Sequence, residues 1–161
     1  AFTNYVKNKH LVNPIVASPD IGGVARARSM AKILKLDLVI VDKRREKANE
    51  SEVMNVIGDV ASKDVILIDD MVDTAGTLIK AAKAFKERGA NSVMAFCTHP
   101  VLSGKARENL ASGAIDELVV TDTIPLNEPC EHVKVISVAS LFAEVIRRVY
   151  HGESVNGLFE F

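Results

Sequence analysis

Six short apolar runs, largely unbroken by polar residues, constrain this chain more than anything else in it. Residues 14–18, 38–41, 65–68, 92–97, 117–120 and 133–136 each read as a strand, and Val65-Ile66-Leu67-Ile68 is the cleanest case. A strand with one wet face alternates apolar and polar positions, whereas continuous hydrophobicity marks a strand covered on both faces, as in a parallel sheet. Helical patterns fall between the runs. Ala27, Met30, Ala31 and Leu34 recur at helical spacing after Gly22-Gly23, and Leu78, Ala81, Ala82 and Phe85 do so before Gly89, a natural C-terminal glycine. Val138, Leu141, Phe142, Val145, Ile146 and Val149 form the strongest amphipathic stripe, which is expected to pack into the core. Arg147, Arg148 and His151 near its end suit the negative pole of a helix dipole. The alternation predicts an α/β fold, an open and mostly parallel sheet with helices on both faces, as one domain over residues 1–161.

Bulk properties exclude several function classes. A formal net charge of −1 gives no electrostatic case for nucleic acid or for an acidic membrane surface. No apolar run approaches the roughly twenty residues needed to span a bilayer. Cys97 and Cys130 have no metal-like spacing and read as free thiols of a reducing compartment. The N-terminus lacks a charged-then-apolar signal pattern. A soluble cytoplasmic protein is expected, and the start at Ala1 suggests a fragment or a processed start.

Ligands of open α/β sheets bind beyond the carboxyl ends of strands, near the switch in strand order. Three such ends carry unusual chemistry. The run 65–68 leads into Asp69-Asp70-Met71-Val72-Asp73-Thr74-Ala75-Gly76-Thr77, with a helix expected from about Leu78. Two adjacent carboxylates repel, and are tolerable when something cationic or hydroxyl-rich takes up their lone pairs. Backbone N–H groups ahead of a helix, with its dipole behind them, make an anion site. Gly76 admits close approach of the anion, and the Thr74 and Thr77 hydroxyls add donors. Acids above a phosphate cradle suit a sugar phosphate, whose 2- and 3-hydroxyls, or a metal bridging them, would meet Asp69 and Asp70. The segment lacks the Lys of a Gly-x-x-x-x-Gly-Lys-Ser/Thr loop, so a P-loop NTPase is not supported.

After the first strand, Ser18-Pro19-Asp20-Ile21-Gly22-Gly23 forms a second anion-accepting turn, with Asp20 placed either to hold a metal or to cap the helix. After the second comes Asp42-Lys43-Arg44-Arg45-Glu46-Lys47-Ala48-Asn49. Such a basic cluster reads either as a solvated loop or as cations for charge building on transferring phosphate oxygens. The polar stretch 45–55 is consistent with a flap closing over substrate.

Taken together, the Ser-Pro-Asp-Ile-Gly-Gly turn, Asp-Lys-Arg-Arg…Lys-Ala-Asn, Ile57-Gly58-Asp59-Val60 and the Asp-Asp loop resemble ribose-phosphate pyrophosphokinases of bacterial type over essentially the whole chain. Thr121-Asp122-Thr123-Ile124-Pro125 and Gly152-Glu153-Ser154-Val155 fit the same family, which has the type I phosphoribosyltransferase fold. The resemblance implies attack by the anomeric hydroxyl of ribose 5-phosphate on the β-phosphorus of Mg-ATP, giving phosphoribosyl pyrophosphate (PRPP) and AMP. It implies catalytic roles for Lys43 and Arg45, with Arg45 also contacting ribose 5-phosphate. It assigns Mg²⁺ to Asp20, with Asp69 and Asp70 joining through bound sugar, and the phosphate cradle to Asp73, Thr74, Ala75, Gly76 and Thr77. Family members are about twice this length, so the chain matches a C-terminal domain whose N-terminal partner supplies adenine contacts and a metal-ligating His. His10, His99, His132 and His151 do not stand in for that His, and His99 is expected in a structural turn. Homo-oligomerisation, hexameric in the family, is implied as well. Two other readings remain open. A nucleobase phosphoribosyltransferase would use the same loop for PRPP, although nothing here reads as a base-holding hood. A non-catalytic regulatory subunit would keep the fold, although the retained Lys43, Arg45, Asp20 and Asp69-Asp70 argue against it.

Overall fold

The computed structural model describes residues 1–44, 53–126 and 128–158. In chain order it contains α1 (Phe2–Lys7), β1 (Ile15–Ser18), α2 (Val24–Leu34), β2 (Leu38–Arg44), β3 (Val53–Ile57), β4 (Asp64–Val72) and α3 (Gly76–Glu87). These are followed by β5 (Ser92–Pro100), α4 (Ala106–Leu110), β6 (Glu117–Thr121), β7 (Val133–Ile136), α5 (Ala139–Tyr150) and a 3₁₀ turn, Asn156–Leu158.

The strands form a seven-stranded sheet in the order β3-β2-β1-β4-β5-β6-β7. Every neighbouring pair is parallel except β2 and β3. In the central strands continuous hydrophobicity has the expected cause, because both sheet faces are covered there; the edge strand β7 departs from it, with no buried residue and Val135 41% exposed. On one, Val65, Leu67, Val93, Ala95 and Leu118 pack beneath Leu78, Ala82 and Phe85 of α3 and Ala106 and Leu110 of α4. On the other, Val16, Ile66, Phe96 and Val119 pack against Ala27, Met30 and Ala31 of α2 and Val6 of α1. Phe2 and Tyr5 meet Phe96 edge-on, with centroids 5.4 and 6.0 Å away. Gly89, at φ +85°, ends α3 in a left-handed turn with the Ala90 N–H bonded to the Phe85 carbonyl.

After β1 the chain steps outward to β2 and β3, then returns across β1 to place β4 on its other side. The switch in strand order therefore lies between β1 and β4. There β4 outruns its neighbour: β1 pairs with Ile15↔Val65 through Ala17↔Leu67, while β4 continues beside β5 to Val72↔Pro100. Asp69 and Asp70 stand above the end of β1.

Four expectations change. The strand expected to stop at Ile68 runs to Val72, because β5 also extends to Pro100 and supplies a ladder; the two acids lie in the strand, not after it. His99 consequently sits on β5 and not in a turn. The stretch 45–55, expected as a flap, ends in β3, where Asn55 pairs with Asp42 and Met54 with Lys43; residues 45–52 lie outside the described residues. The stripe on α5 is not core packing. No residue of that helix is buried, and Phe142, Ile146 and Tyr150 are 56%, 66% and 85% exposed. Periodicity specifies that a helix has an apolar face, not which surface receives it.

Candidate functional site

The turns after β1 and β4 open onto one cavity of about 350 Å³. Asp69, Asp70, Asp73, Thr74, Ala75, Gly76 and Thr77 line it from β4 and the start of α3, and Asp20 lines it from across the switch point. The fold thus brings together every described acid and cradle residue read from the sequence. Lys43 is placed by its backbone on β2, and Arg45 lies outside the described residues. His99 does not line this cavity; its Nδ1 is 3.0 Å from the Thr123 hydroxyl.

The cradle is built without a side-chain cap. Ala75 stands at the N-cap of α3 in the left-handed region, φ 62°, and its side chain makes no capping hydrogen bond. An α-helix leaves its first N–H groups without an i−4 acceptor, and its dipole favours an anion there. Beside it, the loop after β5 grips the turn. Leu102 N–H donates to the Val72 carbonyl at 3.0 Å, Ser103 N–H to the Asp73 carbonyl at 3.1 Å, and the Ser103 hydroxyl to the Asp73 carboxylate. The Asn109 amide donates to the Thr74 carbonyl at 2.8 Å.

The paired acids have a cation. Arg26, on the first turn of α2, reaches Asp69 Oδ1 at 3.1 Å and Asp70 Oδ2 at 2.7 Å. Asp69 Oδ1 also accepts the Asp70 N–H at 2.9 Å. Burial and the neighbouring Asp70 charge outweigh these contacts and push the Asp69 carboxyl up to about 6. Beneath it the Cys97 thiol is fully buried and raised by burial and by the two acids. Cys97 and Cys130 are both free thiols.

Asp20 Oδ1 accepts the Gly23 N–H at 2.9 Å, and the Ser18 hydroxyl donates to the Asp20 carbonyl. Gly23 is needed there, since a Cβ would stand 2.8 Å from Ser18 Oγ. Among the described residues no three His, Cys, Asp or Glu side chains gather into a metal-holding group, and no helix is long and apolar enough to cross a membrane.

Sequence reasoning missed Arg26, Ser103 and Asn109. Arg26 follows Gly23 by three residues, but only the β1–β4 adjacency brings it to the acids. Ser103 and Asn109 carry no local signal at all.

The strand order and the switch-point cavity define an α/β domain of type I phosphoribosyltransferase fold. It is similar to a solved adenine phosphoribosyl transferase from Trypanosoma brucei in complex with AMP, pyrophosphate and ribose-5-phosphate, at TM-score 0.58 and 21% identity, covering 89% of this chain and 73% of that one. Residues 44–160 match the model of the phosphoribosyl synthetase-associated domain, and the chain belongs to that family. It is 72% identical to a ribose-phosphate pyrophosphokinase of Campylobacter jejuni over 98% of this chain and 51% of that protein. It is also similar to a phosphoribosylpyrophosphate synthetase structure from Mycobacterium smegmatis, at TM-score 0.86 and 35% identity, covering 94% of this chain and 50% of that one. The chain spans about half the length of the curated relatives it matches.

Proposed function

We propose that this chain is the sugar-phosphate half of a ribose-phosphate diphosphokinase, residues 1–161 forming a phosphoribosyltransferase-like domain equivalent to the C-terminal domain of its relatives. The observation that carries the reading is the cavity itself. Two acids at the end of β4 face a helix N-terminus across a space suited to a sugar phosphate. In this reading the 5-phosphate lies against Asp73–Thr77, and Asp69 and Asp70 accept hydrogen bonds from the 2- and 3-hydroxyls. Lys43 and Arg45 take the role that the resemblance implies, stabilising charge on the transferring pyrophosphoryl group as PRPP and AMP form.

The donor set fits Mg²⁺. This ion keeps several waters and is held by one or two carboxylates with substrate oxygens, not by an all-protein cage. Asp20 would hold it, with Asp69 and Asp70 joining through bound sugar. The ion would supply charge neutralisation at the phosphates. ATP contacts beyond Lys43 and Arg45 belong to a further domain or neighbouring subunit. The exposed apolar face of α5 supports assembly with such a partner or in a homo-oligomer. A cytoplasmic site of action suits the free thiols.

Calorimetry of the chain with ribose 5-phosphate and Mg²⁺ tests the reading. Binding should occur and should weaken in Asp69→Asn, Asp70→Asn and Gly76→Val. Undiminished affinity in all three variants would overturn the site.

A further inference from the structure

We propose that Arg26 is a positioning residue for this site, aligning the Asp69 and Asp70 carboxylates from behind so that they meet the ligand's hydroxyls ready to accept. The inference rests on the sugar-phosphate reading above.

Geometry carries it. One guanidinium spans both acids, Nη1 to Asp69 and Nη2 to Asp70, at 3.1 and 2.7 Å. Arg26 is absent from the cavity wall that the two acids themselves line, so its action on a ligand passes through them. Each carboxylate has two oxygens and about four lone-pair positions, and pinning one oxygen leaves acceptor capacity for a hydroxyl. The Asp70 N–H on Asp69 Oδ1, at 2.9 Å, fixes the first carboxylate from a second direction.

The helix that delivers Arg26 is itself anchored. Ala27, next in sequence, is fully buried against the sheet, with Met30 and Ala31 one turn on. Gly23 precedes α2 and donates to Asp20, so a single turn after β1 delivers both Asp20 and Arg26 to the switch point. Only a planar fork can engage both acids at once; a Lys ammonium is a point charge that meets one well. The arm to Asp70 is largely exposed and contributes little to stability, so a role in recognition accounts for it better than a role in folding.

Two probes separate the acids from the cradle: ribose 5-phosphate with Mg²⁺, and inorganic phosphate, which has no hydroxyls for the acids to receive. Losing a hydrogen bond to a charged group costs about ten- to a hundredfold in affinity. Arg26→Ala should weaken ribose 5-phosphate on that scale, leave inorganic phosphate unchanged, and keep the urea midpoint near wild type. Arg26→Lys should recover part of the loss and Arg26→Gln less. If Arg26→Ala weakens both probes alike, the residue is structural and the proposal is wrong. If it keeps full ribose 5-phosphate affinity while Asp69→Asn loses it, the proposal fails and the site stands. If wild-type chain takes up neither probe, the site reading fails and carries the proposal with it.

Discussion

Asn109 on α4 donates its side-chain N–H to the carbonyl of Thr74 at 2.8 Å, bridging 35 residues of sequence. The bond fixes the residue just ahead of Ala75, whose left-handed backbone costs an L-residue on the order of 1–2 kcal/mol. A strained residue at a site persists where its surroundings over-determine it, and here the loop after β5 does so. Asn109→Ala should lower stability by about 0.5–1.5 kcal/mol and weaken inorganic phosphate and ribose 5-phosphate alike, unlike Arg26→Ala, which spares inorganic phosphate. Urea midpoints and calorimetry on the same preparation check both parts. Unchanged phosphate affinity would mean that the turn holds its shape without α4.

The raised Asp69 carboxyl makes stability depend on pH in a defined direction. The unfolded chain ionises this group near 3.8, whereas the folded chain keeps the proton until about 6. Between those values the native state binds more protons, so stability falls as pH rises through the window and stays lower above it. The size is on the order of 1–3 kcal/mol, the opposing pull of Arg26 being already included in the raised value. Other acids titrate nearby, so the measurement is the difference between wild type and Asp69→Asn. That difference should favour the variant above pH 6 and vanish below pH 4. A difference independent of pH would return Asp69 to an ordinary carboxylate.

Two glycines should separate folding from binding. A Cβ at Gly76 would meet nothing nearer than Thr74 Oγ1 at 3.6 Å, an ordinary contact. Gly76→Val should therefore fold normally and lose ligand. At Gly23 the same atom would stand 2.8 Å from Ser18 Oγ, so Gly23→Ala must push Ser18 and the Asp20 turn aside, costing about 1–3 kcal/mol as overpacking does. Thermal melts and ribose 5-phosphate titrations of both variants should give this crossed pattern; equal melting losses would refute it.

What was legible in the sequence follows from what is local. The central parallel strands could be read because burial on both faces leaves a continuous apolar record in each. β3 could not, since Val53–Ile57 is an antiparallel edge strand preceded by polar residues. The six-residue α1 and five-residue α4 are shorter than an isolated helix can sustain. Phe2 and Tyr5 against Phe96, and buried Ala106 and Leu110, hold them in place. The acids and cradle were legible because they share one strand-turn-helix. Arg26, Ser103 and Asn109 were not, because strand order rather than spacing delivers them.

The basic cluster on β2 makes a kinetic prediction for the full-length enzyme. If Lys43 stabilises the transferring pyrophosphoryl group, Lys43→Ala should lower turnover about a hundred- to a thousandfold, the usual effect of removing one well-placed donor. Ribose 5-phosphate binding should change little. Arg44→Ala is the internal control and should be mild. Normal turnover in Lys43→Ala would make the cluster a solvated strand end.

The chain by itself should bind ribose 5-phosphate yet make no PRPP at a useful rate. Transfer between two bound substrates depends chiefly on holding them in register, and in the proposed reading the cavity between β1 and β4 receives one of them. Its walls bring acids and a helix N-terminus together, which suit a sugar phosphate. Lys43 and Arg45 alone cannot orient the base of a nucleotide. In that reading the remaining positioning comes from outside the chain, and α5 offers an apolar surface for it, with Phe142, Ile146 and Val149 at least half exposed. PRPP formation from Mg-ATP should therefore be absent with the chain alone and appear when the separately expressed N-terminal half of the full-length protein is added. Phe142→Asp should reduce that recovery without touching ribose 5-phosphate affinity, because α5 does not line the cavity. Robust turnover by the chain alone would place a complete ATP site within these residues and overturn the division of labour proposed for it.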